Sequence, residues 1–122
     1  LEWPALLPAL TECRRVLQPG GWLRVLVPDL ERAIDACRRN DAAYFHVPDH
    51  DARLLGAKLV TQAIWYGSVR TPMTWDFIAE WLARAGFIGV RRLAFGVTDS
   101  PDALLASLDN RERESLCVEA RR

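Results

Sequence analysis

Gln18-Pro19-Gly20-Gly21 separates an amphipathic segment from an apolar run, and this junction restricts the fold more than any other part of the chain. Proline at the second turn position fixes φ near about −65°, and Gly20 can take the positive φ of a type II turn. Upstream, Leu6, Leu10, Cys13 and Leu17 recur at spacings of four, three and four, with Glu12, Arg14 and Arg15 off that stripe. Residues 5–17 therefore read as a helix with one solvated face. Pro4 suits a first helical position, whereas Pro8 predicts a delayed or irregular start. Downstream, Trp22 to Val27 (W-L-R-V-L-V) is almost continuously apolar and closed by Pro28, the pattern of a strand buried on both faces in a parallel sheet. Asp29 can cap a further helix on which Leu30, Ala33, Ile34 and Cys37 share a face. Helix, turn, buried strand and helix indicate an α/β layered fold.

Beyond Asn40 the periodicity lapses. Residues 41–51 (D-A-A-Y-F-H-V-P-D-H-D) gather aromatic, histidine and aspartate side chains and read as a loop or lid. A helix is expected over 52–65, with Leu55, Leu59, Val60, Ala63 and Ile64 as its apolar face and Tyr66-Gly67-Ser68 ending it. Thr74 caps the clearest helix, which carries Phe77, Ile78, Trp81, Leu82 and Ala85 on one face and stops at Gly86. Strands are expected over 88–95 and 115–120, joined through a short helix from Ser100-Pro101 to Leu108 and a turn at Asp109-Asn110.

The 122 residues are half apolar and about one quarter charged, proportions that suit one globular domain spanning 1–122. Sixteen basic and sixteen acidic side chains cancel, which disfavours nucleic acid or an anionic membrane as a partner. No apolar run reaches the ~18 residues of a membrane span and no signal peptide is readable, so a soluble, cytoplasmic protein is expected. Cys13, Cys37 and Cys117 form no C-x-x-C pair; they read as small buried hydrophobes in a reducing compartment. One lysine against fifteen arginines suggests a GC-rich, bacterial coding sequence.

Two regions could carry chemistry. His46 and His50, with Asp49 and Asp51 adjacent, are types that bind divalent metals, but Pro48 breaks the helix that would bring histidines four apart together, so no metal is expected. A solvated loop is the plainer reading, with His46 or His50 the candidate general base. Trp65, Tyr66, Arg70 and Trp75 flank a short connection and could line a pocket for a planar or anionic molecule, although such rings more often close a core. The arginine pairs at 14/15, 38/39, 91/92 and 121/122 are scattered and read as solvated surface. No G-x-S-x-G, P-loop or dinucleotide glycine motif is present.

The segment Leu10 to Asp29 (L-T-E-C-R-R-V-L-Q-P-G-G-W-L-R-V-L-V-P-D) closely resembles the helix, R-V-L-K-P-G-G turn and fifth strand of class I S-adenosylmethionine-dependent methyltransferases. Phe77-Ile78 through Ala85-Gly86-Phe87 and on to Val90-Arg91-Arg92 resembles the L-L-x-x-A-G-F-x-x-V-R stretch before that family's sixth strand, and Ser115 to Arg121 resembles its S-L-x-V-E-A-R/K seventh strand. Val27 to Leu30 (V-P-D-L) matches the small predicted methyltransferases within the family, and Leu1-Glu2 resembles the end of an H-x-L-E-H-L region.

The resemblance spans nearly the whole chain but only the C-terminal half of the family pattern. It implies the C-terminal part of a Rossmann-like methyltransferase sheet, strands 5, 6 and 7 in the order 5-7-6 with strand 7 antiparallel. The cofactor-binding motifs fall upstream of Leu1 in that pattern, and the missing initiator Met reads as the cut end of a fold. The implied activity is methyl transfer to a small-molecule acceptor by the longer protein, with S-adenosyl-L-methionine as cofactor of that protein and no cofactor binding by the 122 residues alone. Substrate contacts are expected at Asp29 and in the loops carrying Tyr44, Trp65, Tyr66, Arg70 and Trp75. A strand edge left open beside Trp22–Val27 invites a homodimer. The alternatives are a non-catalytic α/β interaction module that uses this edge and an unrelated α/β domain with a coincidental P-G-G turn.

Overall fold

The computed structural model describes all residues from Leu1 to Arg122. Its elements run α1 (Trp3–Val16), β1 (Trp22–Pro28), α2 (Leu30–Arg38), α3 (Leu55–Ala63), α4 (Trp75–Arg84), β2 (Ile88–Leu93), α5 (Leu104–Ser107) and β3 (Ser115–Arg121). Single 3₁₀ turns lie at Ala42–Tyr44 and Trp65–Gly67.

The P-G-G junction forms as its residues dictate. Gly20 has φ +77°, and a Cβ on Gly21 would lie 2.8 Å from the Gln18 carbonyl oxygen, so neither position accepts a side chain without strain. The chain then enters a three-stranded sheet of order β1-β3-β2. β3 pairs antiparallel with both neighbours, from Trp22↔Arg121 to Pro28↔Ser115 on one side and from Ile88↔Arg121 to Leu93↔Cys117, with an irregularity before Arg91, on the other. Every residue of β3 up to Ala120 is buried, because only this strand has a neighbour on each edge.

Strand β1 departs from expectation. Its residues Trp22–Val27 are only half-buried, and its single partner is antiparallel. The apolar run belongs to an edge strand with one free edge rather than to a strand enclosed within a parallel sheet. Arg24 breaks the run and turns to the face opposite Leu23 and Val27.

Alternation along β3 directs Leu116, Val118 and Ala120 into the main core, where they meet Leu6 and Leu10 of α1 and Ile78, Trp81 and Leu82 of α4. Thr74 Oγ1 accepts from the Phe77 amide at 3.3 Å to cap α4. α1 is helical from Trp3, through Pro8, so the expected delay does not occur; the exposed proline forfeits one backbone bond instead. A second cluster (Ala33, Ala36, Tyr44 and Phe45, with Leu55 and Leu59) joins α2 to α3.

The reverse face of the sheet is covered by residues 94–110, which an ion network holds. Arg24 donates to Asp109 at 2.5 and 2.8 Å, to Glu119 at 2.9 Å and to the Val97 carbonyl at 2.8 Å. All three charged side chains are at most 3% exposed. The paired guanidinium and the Gly96 amide hold the Asp109 carboxyl below the usual range, and Asp109 in turn raises Arg24. α5 is shorter than expected, since the Ser100 hydroxyl accepts from Asp102 in a local turn rather than capping it.

Several arginines read as solvated surface join elements: Arg14 bonds the Gly86 carbonyl at 2.8 Å, Arg92 bonds Asp29 at 2.9 Å and Arg122 bonds the Leu17 carbonyl. Of the cysteines only Cys117 is buried, and burial raises its thiol pKa; Cys13 is exposed. No helix is long and apolar enough to cross a membrane.

Candidate functional site

A cleft opens where β1 ends. The Asp29 amide donates to the Glu114 carbonyl at 2.8 Å and the Leu30 amide to the Met73 carbonyl at 3.0 Å, so the strand end is pinned between the approach to β3 and the segment before α4. The cleft is narrow, with about 20 Å³ of free space, and is lined by Asp29, Tyr44, Gln62, Trp65, Met73 and Glu114 among others. A wider recess of about 420 Å³ shares Pro28, Trp65, Val69 and Glu114 with it and extends to Leu26 and Arg111.

Asp29 is fully engaged. One carboxylate oxygen accepts from the Glu31 amide at 3.1 Å, capping α2, and the other faces Arg92 at 2.9 Å and Arg32 at 3.5 Å. Its charge is matched, and it forms part of the wall. Tyr44 is buried beside it. Burial, and then the nearby Asp29 carboxylate, raise the Tyr44 pKa, so the phenol stays protonated in the neutral range.

Trp65 reaches the cleft through strained backbone. Trp65 and Tyr66 have φ of +42° and +55°, a left-handed pair that aromatic residues seldom adopt and that costs about 1–3 kcal/mol per residue. The reversal directs the two rings differently. The Trp65 ring stacks on His46 at 5.9 Å, while Tyr66 is exposed and donates its hydroxyl to Asp51 at 2.7 Å, a bond that raises its pKa.

Glu114 is 7% exposed and lines both hollows. Its nearest cationic or donor groups are His46 Nε2 at 3.4 Å and Arg111 at 3.9 Å. Arg113 lies 3.0 Å from the His46 ring nitrogens. A guanidinium can only donate, so whichever His46 ring nitrogen bonds Arg113 acts as the acceptor. His46 approaches Glu114 from behind and is not itself part of the cleft lining.

Helix α3 supplies the side wall with an unexpected face. Val60 and Ile64 point outward, whereas Lys58 and Gln62 are buried. Gln62 accepts from the His46 amide at 2.7 Å; Lys58 donates to the Val47 carbonyl at 2.6 Å and pairs with Asp49 at 2.8 Å, lowering the Asp49 pKa. Residues 46–49 pack on α3 through backbone carbonyls and amides, and only polar side chains can meet those groups.

The structure therefore brings Asp29, Tyr44 and Trp65 together and places His46 directly behind them. It separates the others. Tyr66 and Arg70 are exposed outside the lining, Trp75 packs against the main core, and the 80%-exposed His50 lies beside Asp51. No three His, Cys, Asp or Glu side chains are grouped to hold a metal. Sequence reasoning missed Glu114, Gln62, Arg111 and Arg113, which belong to charged or helical stretches without a motif.

Comparison with protein-family models, with curated proteins and with solved structures found no match.

Proposed function

We propose that the chain forms the acceptor side of a class I S-adenosylmethionine-dependent methyltransferase, as the C-terminal part of a Rossmann-like sheet. The observation that carries this reading is the strand order: the last strand lies antiparallel between two strands that run parallel to each other, next to a helix, a P-G-G turn and a V-P-D-L strand end. The cleft supports it, since ligands of open α/β sheets bind at the carboxyl ends of strands. S-adenosylmethionine would bring an already activated methyl group, leaving the protein to align an acceptor.

The residues present do not themselves make a site for that cofactor. The only direct strand-to-helix turn at the cleft is Pro28-Asp29, whose carboxylate is taken by Arg92, Arg32 and the α2 cap. No glycine-rich turn opens a helix after a strand. The chain's own share is a small-molecule pocket in the wider recess, walled by Trp65 and Glu114.

Calorimetry with S-adenosylmethionine tests the proposal. The 122-residue chain is expected to give no measurable heat, while a protein extended by its upstream coding sequence is expected to bind it and transfer a labelled methyl group. Failure of the extended protein to bind would overturn the reading. The free edge of β1 favours a second reading, a non-catalytic interaction module that pairs this edge with a partner strand. A stable dimer of the extended protein that binds no cofactor would support that second reading instead.

A further inference from the structure

The cleft mouth already holds a cation supplied by the chain itself. The Arg111 guanidinium lies over the Trp65 ring, 5.4 Å from its centroid, and 3.9 Å from the Glu114 carboxylate. Arg111 is 65% exposed and sits at φ +58°, so it rests on the mouth from outside and is not packed into the wall. Glu114 differs: its side chain is only 10% exposed, and it has no hydrogen bond shorter than the 3.4 Å approach of His46. A buried carboxylate and an aromatic face lining one recess are a combination that takes a positive charge. The remaining acid of the cleft, Asp29, is matched by Arg92 and Arg32 and does not compete.

We infer that the wider recess at the cleft mouth, lined by Trp65, Arg111 and Glu114, recognises a small molecule bearing a planar or alkyl cationic nitrogen group, which displaces Arg111 from Trp65 and Glu114. Arg111 then acts as an internal placeholder that keeps the carboxylate paired until a ligand arrives. The inference rests on the reading of this recess as an acceptor pocket, but the binding it describes requires neither cofactor nor methyl transfer.

The test uses benzamidine as the cationic probe and benzoate as its anionic counterpart, titrated into the 122-residue chain and followed by the Trp65 indole N–H resonance. Benzamidine is expected to shift that resonance and benzoate to leave it unmoved. Glu114→Gln should weaken benzamidine by about tenfold, equivalent to about 1.4 kcal/mol. Arg111→Asn, a residue that tolerates positive φ, should strengthen it severalfold because the internal competitor is gone. Weaker benzamidine binding in Arg111→Asn would show that Arg111 is not a competitor, and binding of benzoate in place of benzamidine would show that the mouth selects anions; either result would overturn the inference. If Glu114→Gln does not fold, the Arg111→Asn result alone decides. Loss of methyl transfer with these benzamidine responses intact would count against the proposed function and leave the inference standing.

Discussion

The Asp29 carboxylate caps a helix, pairs with Arg92 across the molecule and walls the cleft while almost completely removed from water. A sequence reader sees only the cap, because Asp before an apolar helical stripe is a local signal whereas Arg92 lies 63 residues away. Asp29→Asn keeps an oxygen for the Glu31 amide but removes the charge facing Arg92. It is expected to cost about 1–3 kcal/mol in urea unfolding, mostly through the Arg92 contact. The double variant Asp29→Asn/Arg92→Met should recover part of that loss, and strict additivity in this cycle would show that the pair does not interact. Glu114, Arg111 and Arg113 offer no such local signal. They lie in an R-E-R-E stretch indistinguishable from solvated surface until β3 folds back and sets Glu114 beside the end of β1.

Among the elements, helix α3 shows where periodicity misleads. Its apolar residues predict one buried face, and Leu55 and Leu59 do pack toward α2, yet Lys58 and Gln62 are the fully buried residues, because another side of α3 meets the backbone of residues 46–49. Gln62→Leu, which would improve an apolar face, should therefore destabilise the protein by about 1–3 kcal/mol by orphaning the His46 amide. Val60→Ser should change stability by less than about 0.5 kcal/mol. The opposite ranking in chemical denaturation would restore the simple amphipathic reading. Strand and helix positions were legible because Pro, Gly and capping residues punctuate them; side-chain partners were not, because they depend on contacts distant in sequence.

The stretch 94–110 poses a related question, since one ion network ties it to the sheet. Asp109 has a depressed pKa in the folded state. The stability it contributes is present above the usual carboxylate range and is lost as pH falls through the lower, folded-state value. Asp109→Asn should cost about 3 kcal/mol at neutral pH, leaving Arg24 poorly compensated in the interior. It should also lack the part of the acid destabilisation that thermal melts of the parent protein show. A parallel pH profile in the two proteins would remove the network from the account of this segment.

For the whole molecule, the distribution of hydrogen bonds across the sheet predicts its exchange behaviour. β3 is paired along both edges from Cys117 and β1 along one, so amide exchange should find consecutive slow amides in Cys117–Glu119 but only alternate slow amides in Trp22–Val27. Uniform protection along β1 would mean that its outer edge is covered in solution. The central position of β3 also bears on synthesis. Arg24 and its partner Glu119 are 95 residues apart, so a ribosome adding about 5–20 residues per second leaves β1 without its mate for about 5–20 s. β2 also waits for the same strand, as the two outer strands never touch. The nascent chain can form helices early, but it must keep two sticky ribbons apart until the strand that joins them has been made.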